Sequence, residues 1–189
     1  FRDDDAAVDW CHRILGMVPD DLDTLNRLAE IYTNGAAWED LIQILELSCD
    51  RLENKEERVR SLCRMGEVQQ EELGDADGAI AAFERVLTEE PQHAETLARL
   101  EILYTESGLW EQVLETLERR MALATDADET VGLLCRQARV ALDEIGHPLD
   151  AAVHYEQALE LRPGSVDMAE ALISIYDAEE RHEEVVRIM

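Results

Sequence analysis

The chain of 189 residues is poor in basic residues. It carries 17 Lys and Arg against 44 Asp and Glu, which gives a formal net charge of −27 at pH 7, and Lys55 is its only lysine. The acidic residues are spread along the whole sequence, so its surface repels the phosphates of nucleic acids and of anionic lipids. This composition argues against a nucleic-acid-binding protein. It predicts a surface that either serves solubility or attracts a basic partner.

Long apolar runs and strand patterns are also missing. No apolar run approaches the roughly 20 residues that a transmembrane helix needs, and no alternating run of notable length is present. Helix formers dominate instead, so the sequence predicts an all-α fold. The first residue is Phe, and we therefore expect the native N-terminus to lie upstream. A cytoplasmic location is expected, although an upstream export signal would change that expectation.

What the chain does contain is a long internal repeat. The stretch "LGDADGAIAAFERVLTEEP" at 73–91 is answered by "IGHPLDAAVHYEQALELRP" at 145–163, and "TLNRLAEIY" at 24–32 by "TLARLEILY" at 96–104. Pro19, Pro91 and Pro163 are evenly spaced at 72 positions, a distance called here the repeat period. Each period divides into a shorter part, as at 19–53, and a longer part, as at 53–91. A fixed period of this length indicates stacked supersecondary units.

Each part of the repeat predicts two amphipathic helices, here called the A helix and the B helix. The A stripe is typified by Leu25 and Leu28, and the B stripe by Ile80, Phe83 and Leu87, all at helical spacing. The pattern predicts helices over residues 5–17, 22–34, 38–52, 56–73, 77–89, 94–107, 110–124, 129–145, 149–161, 166–179 and 182–189. The unpaired first B helix and the last partial unit predict a segment of a longer array.

Punctuating residues support this plan. Glycine between the A and B stripes is expected to supply the left-handed turn that stops a helix, at Gly35, Gly74, Gly108 and Gly146. Proline after the B stripe prevents its continuation. Ala79 and Ala151 are expected to let the B helix approach the A helix closely, and Phe83 to fill the space between them. Trp38 and Trp110 open B helices, where packing over the turn is the favoured interpretation.

These residues resemble the tetratricopeptide repeat, whose 34-residue signature includes A-x3-F followed by Pro. Ala79, Phe83 and Pro91 match it, as do Ala151, Tyr155 and Pro163, and Gly66 takes the glycine position of the A helix. The resemblance implies a right-handed α-solenoid of antiparallel hairpins over residues 1–189. Its units are approximately 1–21, 22–55, 56–93, 94–128, 129–165 and 166–189. Their alternating spacings of 34 and 38 positions are similar to the long arrays of large bacterial proteins of the myxobacterial kind.

Residues that could carry catalysis or hold a metal do not form a pattern. The spacings of Cys11, Cys49, Cys63 and Cys135 fit neither a zinc site nor C-x-x-C, so free thiols are expected. Cys11 falls at the core position that Phe83 occupies, and its neighbour His12 points about 100° away on a helix. His147 and His154 lack further ligands at suitable spacing. The sequence therefore predicts no enzyme, no metal site and no cofactor.

One set of basic residues stands out from the acidic background. Arginine recurs two residues after a core leucine on four successive A helices, and the resemblance implies that these helices line a concave groove. The candidate groove residues are Asn26, Arg27, Arg60, Arg64, Arg99, Arg136 and Arg139. They either pair with acidic residues of neighbouring helices or contact a ligand. Because the arginine fork suits carboxylates, the ligand would be an extended, partly acidic peptide.

The leading functional prediction is a non-enzymatic scaffold for protein–protein interaction that binds an extended peptide or a partner protein in the concave groove. A structural spacer, which could also self-associate through the uncapped ends of the array, is the alternative from another class. A third interpretation is a regulatory repeat region of a larger multidomain protein. A scaffold predicts groove residues that vary between repeats, whereas a spacer predicts uniform ones.

Overall fold

A computed structural model describes residues 2–188, with side chains from Asp5 onward, and confirms the all-α fold. The described residues form eleven α-helices and no strand. The helices are α1 (Arg2–Met17), α2 (Leu22–Asn34), α3 (Trp38–Cys49), α4 (Lys55–Glu71), α5 (Ala76–Glu89), α6 (Ala94–Glu106), α7 (Trp110–Met121), α8 (Ala127–Arg139), α9 (Pro148–Leu161), α10 (Val166–Ala178) and α11 (His182–Ile188). Phe1, the first residue of the first predicted unit, and Met189, the last residue of the last one, lie outside the described residues.

The chain divides into two compact units, Phe1–Thr96 and Leu97–Met189. In unit 1, α2 packs against α1 and α3, and α4 packs against α3 and α5. In unit 2, α8 packs against α7 and α9, and α10 packs against α9 and α11. The even-numbered helices are thus the predicted A helices and the odd-numbered ones are the B helices. Each unit is a run of helix hairpins in which these four A helices contact B helices on both sides.

The predicted stripes form the core of unit 1. Leu25 and Leu28 of α2 are 1% and 0% exposed, and Phe83 of α5 is 1% exposed. Phe83 lies directly against α4, because a Cβ atom placed on Gly66 would be only 2.7 Å from its ring. The prediction that Phe83 fills the space between A and B helices is confirmed. Gly66 is the residue that makes this close approach of α4 and α5 possible.

Unit 2 uses a different pair of residues at the same place. Ala138 of α8 and Tyr155 of α9 occupy the positions of Gly66 and Phe83, and both are buried. The predicted small contact residues are confirmed in both units, since Ala79 and Ala151 are fully buried. Alanine at these sites keeps the helices close, while the larger side chains of the stripe fill the remaining volume.

The left-handed turn after α2 does not lie at the predicted glycine. Gly35 has a right-handed φ of −87°, and the next residue, Ala36, has a φ of +52°. Gly108, which lies one repeat period after Ala36, has a φ of +68° and occupies the equivalent turn. The prediction for Gly35 is therefore wrong by one residue, whereas those for Gly74, Gly108 and Gly146 are confirmed. The sequence favoured Gly35 because glycine adopts a left-handed backbone most readily, and the structure shows that the neighbouring Ala36 takes this conformation instead.

Replacing Ala36 by glycine is expected to raise the free energy of unfolding by about 1 kcal/mol. A left-handed backbone costs an alanine roughly 1–2 kcal/mol, and the extra chain entropy of glycine offsets only part of the gain. Urea unfolding followed by circular dichroism measures the change. Ala37→Gly is the matched control, because Ala37 has a φ of −89°, and it is expected to lose stability. Equal losses in both variants would contradict the assignment.

In the longer units the A helix ends in a wide turn. Beyond α8, Val140–Ile145 continues as a π-helical turn before Gly146. After α4, the backbone N–H of Leu73 donates to the carbonyl of Val68, five residues back, at 3.1 Å. The last turn of the A helix before Gly74 and before Gly146 is thus wider than an α-helical turn.

Two B helices end earlier than predicted. The helix predicted to reach residue 52 ends at Cys49, and the one predicted to reach residue 124 ends at Met121. In both cases the chain tightens into a 3₁₀-type turn, in which the N–H of Arg51 donates to the carbonyl of Ser48 at 3.0 Å and the N–H of Leu123 donates to that of Arg120 at 3.0 Å. Such tightening satisfies carbonyls at the end of a helix.

Candidate functional site

The cysteines and their histidine neighbour make structural contacts and do not form a catalytic arrangement. Cys11 is buried in the core of unit 1, as predicted, and the Nε2 atom of His12 lies 3.1 Å from the hydroxyl oxygen of Tyr32. All four cysteines are free thiols. Burial raises the pKa of Cys49 to about 11, so its thiol is protonated, and a poor nucleophile, at neutral pH.

Histidines and carboxylates do not gather into a metal centre within residues 2–188. The Nδ1 atom of His147 lies 3.2 Å from a carboxylate oxygen of Asp150 on an exposed turn, whereas His154 is partly buried in α9. Trp38 and Trp110 begin α3 and α7 and are both partly buried, and Trp38 packs against the core of unit 1 as predicted. None of the described helices is long and apolar enough to cross a membrane.

The candidate groove residues of α2 lie at the surface. Asn26 and Arg27 are both exposed, and the Arg27 guanidinium donates to a carboxylate oxygen of Glu30 at 3.2 Å. The two side chains of this pair are 65% and 64% exposed. An exposed pair of this kind contributes little to stability, about 0.3–0.5 kcal/mol. Arg27 can therefore exchange Glu30 for another carboxylate at small cost.

Arg64 connects two successive A helices of unit 1. Its guanidinium donates a hydrogen bond from α4 to the hydroxyl oxygen of Thr33 in α2. That hydroxyl in turn donates to the carbonyl of Ala29 at 2.6 Å. The proton of Thr33 is thus directed into its own helix, and a lone pair is left to accept from Arg64. We call this arrangement the Thr–Arg bridge.

The same bridge recurs one repeat period later in unit 2. The Arg136 guanidinium of α8 donates to the Thr105 hydroxyl of α6 at 3.3 Å, and Thr105 donates to the carbonyl of Glu101 at 2.7 Å. In both bridges the threonine precedes the arginine by 31 positions. Sequence reasoning identified the arginines but missed the threonines, although their shared offset was a visible signal.

Unit 2 adds a carboxylate that unit 1 lacks. Glu101 of α6 is an ion-pair partner of Arg120 in α7, and one of its oxygens lies 3.5 Å from Nε of Arg136. Its side chain is only 13% exposed, so these interactions are weakly screened by water. In unit 1 the position of Glu101 is taken by Ala29. The structure shows no carboxylate paired with Arg64 within the described residues.

The remaining candidates do not all point to one surface. Arg60 is exposed on α4, one turn before Arg64, and its Nε donates to the carbonyl of Glu56 at 3.4 Å. Arg99 is partly buried in α6. Arg139 is exposed at the end of α8 and lies near Tyr155 of α9; burial raises the pKa of the Tyr155 phenol, and the positive charge of Arg139 partly opposes this increase. The structure thus brings Arg60 together with Arg64, and turns Arg139 towards a B helix.

Comparison with known proteins agrees with this architecture. The tetratricopeptide repeat family matches residues 71–138. No curated protein matches the chain in sequence. Among solved structures, MamA AMB-1 is 19% identical with a TM-score of 0.53, covering 86% of this chain and 84% of that one. The MamA RS-1 ArsTM double mutant is 19% identical with a TM-score of 0.51, covering 88% and 89%.

A further crystal structure of MamA protein is 16% identical with a TM-score of 0.51, covering 87% of this chain and 85% of that one. Similarity at this level concerns the fold alone. The fold supports a protein–protein interaction scaffold in general terms. The similarity to myxobacterial arrays stays a prediction. Residues 71–138 therefore carry tetratricopeptide repeats, and the helix hairpins on both sides of this range continue the same architecture.

Proposed function

We propose that the protein is a non-catalytic scaffold whose A-helix face in unit 1, formed by the exposed residues of α2 and α4, binds an extended acidic segment of a partner protein. The observation that carries the proposal is the set of hydrogen-bond partners of Arg60 and Arg64. Their hydrogen bonds go to a backbone carbonyl and a hydroxyl, and neither has a carboxylate partner among the described residues. Both positive charges are therefore available to a ligand.

Three other arginines of unit 1 have a carboxylate partner on a different segment of the chain. Arg51 pairs with Asp20 at 2.7 Å, and Arg85 pairs with Glu46 at 2.7 Å. Arg58 holds Glu89 through two bonds of 3.1 and 3.0 Å, and these hydrogen bonds lower the pKa of the Glu89 carboxyl. A chain with 44 acidic residues readily supplies such partners. Two neighbouring arginines without one indicate a surface kept open for an external carboxylate.

The Thr–Arg bridge supports binding by fixing the direction of Arg64. A free arginine side chain loses about 2 kcal/mol of rotamer entropy when it is immobilised. Thr33 restrains the guanidinium before any ligand arrives, so less entropy is lost on binding. Arg27, with its weak exposed partner, lies on the preceding A helix and extends the basic surface. An extended segment with spaced carboxylates fits this arrangement.

The double substitution Arg60→Glu and Arg64→Glu is expected to weaken binding of acidic peptides at least tenfold. Each lost charge-assisted hydrogen bond contributes about 1.5–3 kcal/mol, and the new carboxylates repel the ligand. Peptides selected on the wild-type chain from a random display library serve as the probe, with affinity measured by fluorescence anisotropy. We expect the selected peptides to be enriched in Asp and Glu.

Arg162→Glu is the matched control, because Arg162 belongs to unit 2 and makes an exposed ion pair with Asp128. It changes the net charge in the same direction and is expected to leave peptide affinity within about twofold, since Arg162 is not part of the proposed A-helix face of unit 1. Unchanged affinity in the double variant, with a native circular dichroism spectrum, would refute the proposal.

A further inference from the structure

A second surface of unit 1 lies between its B helices. Helices α3 and α5 leave an open groove of about 550 Å³, with α4 as its floor. We call it the B-helix groove. Its apolar lining comes from all three helices and consists of Ile42, Leu47, Met65, Ala81 and Ala82. Arg60 and Arg64 do not line it, so it is separate from the acidic-peptide surface and does not rest on the proposed function.

Small residues on α5 keep this groove open. Gly78, Ala81 and Ala82 form its α5 wall. The residues one repeat period later in unit 2 are Asp150, Val153 and His154. Burial lowers the pKa of His154, so its imidazole is neutral at pH 7, and it is a much larger side chain at the position that corresponds to Ala82. The small side chains that form this wall are therefore a feature of unit 1 and are not repeated in unit 2.

The groove exposes apolar surface and lies over a buried polar atom without a partner. Leu47 is 40% exposed on α3, whereas Met65 on α4 is 4% exposed and forms the floor. Gln69 lies beside Met65, and its Oε1 atom is buried without a hydrogen-bond partner among the described atoms. An isolated exposed leucine is ordinary, but a concave apolar surface of this size is typical of a contact site.

The charge around the groove determines what can occupy it. Helices α3 and α5 carry six carboxylates and one basic residue, Arg85. Arg85 is already neutralised, because its Nη1 donates to both oxygens of Glu46 at 2.8 and 2.7 Å. Glu39 and Asp50 stand one helical turn from the groove residues of α3, and the Asp75 carboxylate accepts a hydrogen bond from the N–H of Gly78 at 3.0 Å. The rim of the groove is therefore acidic.

We propose that the B-helix groove docks a basic amphipathic helix of a partner protein. Its aliphatic side chains would enter between Leu47 and Ala81, and its Lys or Arg side chains would lie over the acidic rim. A second copy of this chain is a poor occupant, because a net charge of −27 makes two such surfaces repel each other. The same charge disfavours nucleic acids and acidic peptides in this groove.

The probe for this proposal is a designed helical peptide of leucine and lysine, titrated against the full chain labelled with ¹³C at the methionine methyl groups. We expect the Met65 methyl signal to shift on binding, because Met65 forms the groove floor, while the signal of the buried Met168 in unit 2 stays in place. Binding that leaves the Met65 signal unchanged would overturn the proposal.

Leu47→Arg is the variant for the affinity measurement. The repeat itself carries an arginine, Arg119, at the corresponding position of unit 2, so the fold tolerates the change. Ile102→Arg is the matched control, because Ile102 is 53% exposed on α6 and does not line the groove. We expect Leu47→Arg to weaken peptide binding at least tenfold and Ile102→Arg to change it less than twofold. Equal losses would show attraction by net charge alone and would contradict the proposal.

Ala81→Leu fills the groove without changing the charge. Ala81 is exposed, so the larger side chain needs no rearrangement of the core. A loss of affinity of at least fivefold is expected, and unchanged affinity would contradict docking in the groove. Sedimentation of the wild-type chain tests whether a second copy of this chain occupies the groove. Dimers of the wild-type chain that the Leu47→Arg substitution dissociates would show that it does, and would overturn the proposal.

Discussion

Replacing Phe83 by alanine is expected to lower the free energy of unfolding by about 3–5 kcal/mol. Phe83 is 1% exposed and belongs to the largest fully buried side chains. It fills the space between α4 and α5, and its ring reaches the backbone at Gly66. Removal of the ring leaves a cavity that two packed helices can close only in part. Urea unfolding followed by circular dichroism measures the loss.

Ile102→Ala is the control for Phe83→Ala, since Ile102 is 53% exposed and its truncation is expected to change stability by less than about 0.5 kcal/mol. A loss of under about 1 kcal/mol in Phe83→Ala would mean that the α4–α5 contact does not depend on the ring. The comparison therefore tests the central packing contact of unit 1 and not merely the sensitivity of the fold to truncation.

Gly66→Ala is expected to lower the free energy of unfolding by about 1–3 kcal/mol. Alanine normally stabilises a helix by up to about 1 kcal/mol relative to glycine. At this position, however, its methyl group would lie 2.7, 2.8 and 2.9 Å from three ring carbons of Phe83. The ring is enclosed by the core and cannot move aside freely, so overpacking exceeds the gain in helix propensity.

Gly132→Ala in α8 provides a control of opposite sign. A Cβ atom at Gly132 would meet no other atom within 4 Å, so only helix propensity acts, and stability is expected to rise by about 1 kcal/mol. In the Phe83→Ala background, Gly66→Ala is expected to lose its destabilising effect, because the ring is gone. Additive effects of the two substitutions, within about 0.5 kcal/mol, would contradict direct contact between them.

The helices and the core could be predicted from the sequence because both depend on short-range periodicity. Leucine and alanine at helical spacing, recurring with the repeat period, are enough to locate Leu25, Ala79 and Phe83 in the core. The turn after α2 could not be predicted in the same way. Two adjacent small residues, Gly35 and Ala36, compete there for the left-handed position, and the exit direction of the chain decides between them.

The arrangement of the arginines was only partly predictable. Their recurrence on the A helices is a sequence property, but the direction of a long, flexible guanidinium depends on which acceptors lie across the helix pair. Arg136 meets both Thr105 and Glu101, whereas Arg64 meets Thr33 alone. These acceptors lie on the preceding A helix, and a whole B helix separates them from the arginine in the sequence. The pattern of the arginine's own helix therefore does not predict which acceptors it meets.

The B-helix groove was missed for a different reason. A groove is defined by side chains that are absent, and Gly78, Ala81 and Ala82 look in the sequence like ordinary small residues that help two helices to pack. Only the comparison with Asp150, Val153 and His154 in the second copy shows that the same positions can be filled. Small residues on a helix can thus either let a neighbouring helix pack closely or leave a groove open, and sequence spacing alone does not distinguish these two roles.

The Thr–Arg bridge has a consequence for how such an array can grow. Its two halves stand on successive A helices, and it returns only after a full repeat period. Insertion or deletion of a block of that length leaves every threonine opposite its arginine, whereas the gain or loss of one hairpin separates them. The unit that can be duplicated or lost without breaking these bridges is therefore a pair of hairpins. We expect related arrays to differ in length by an even number of hairpins.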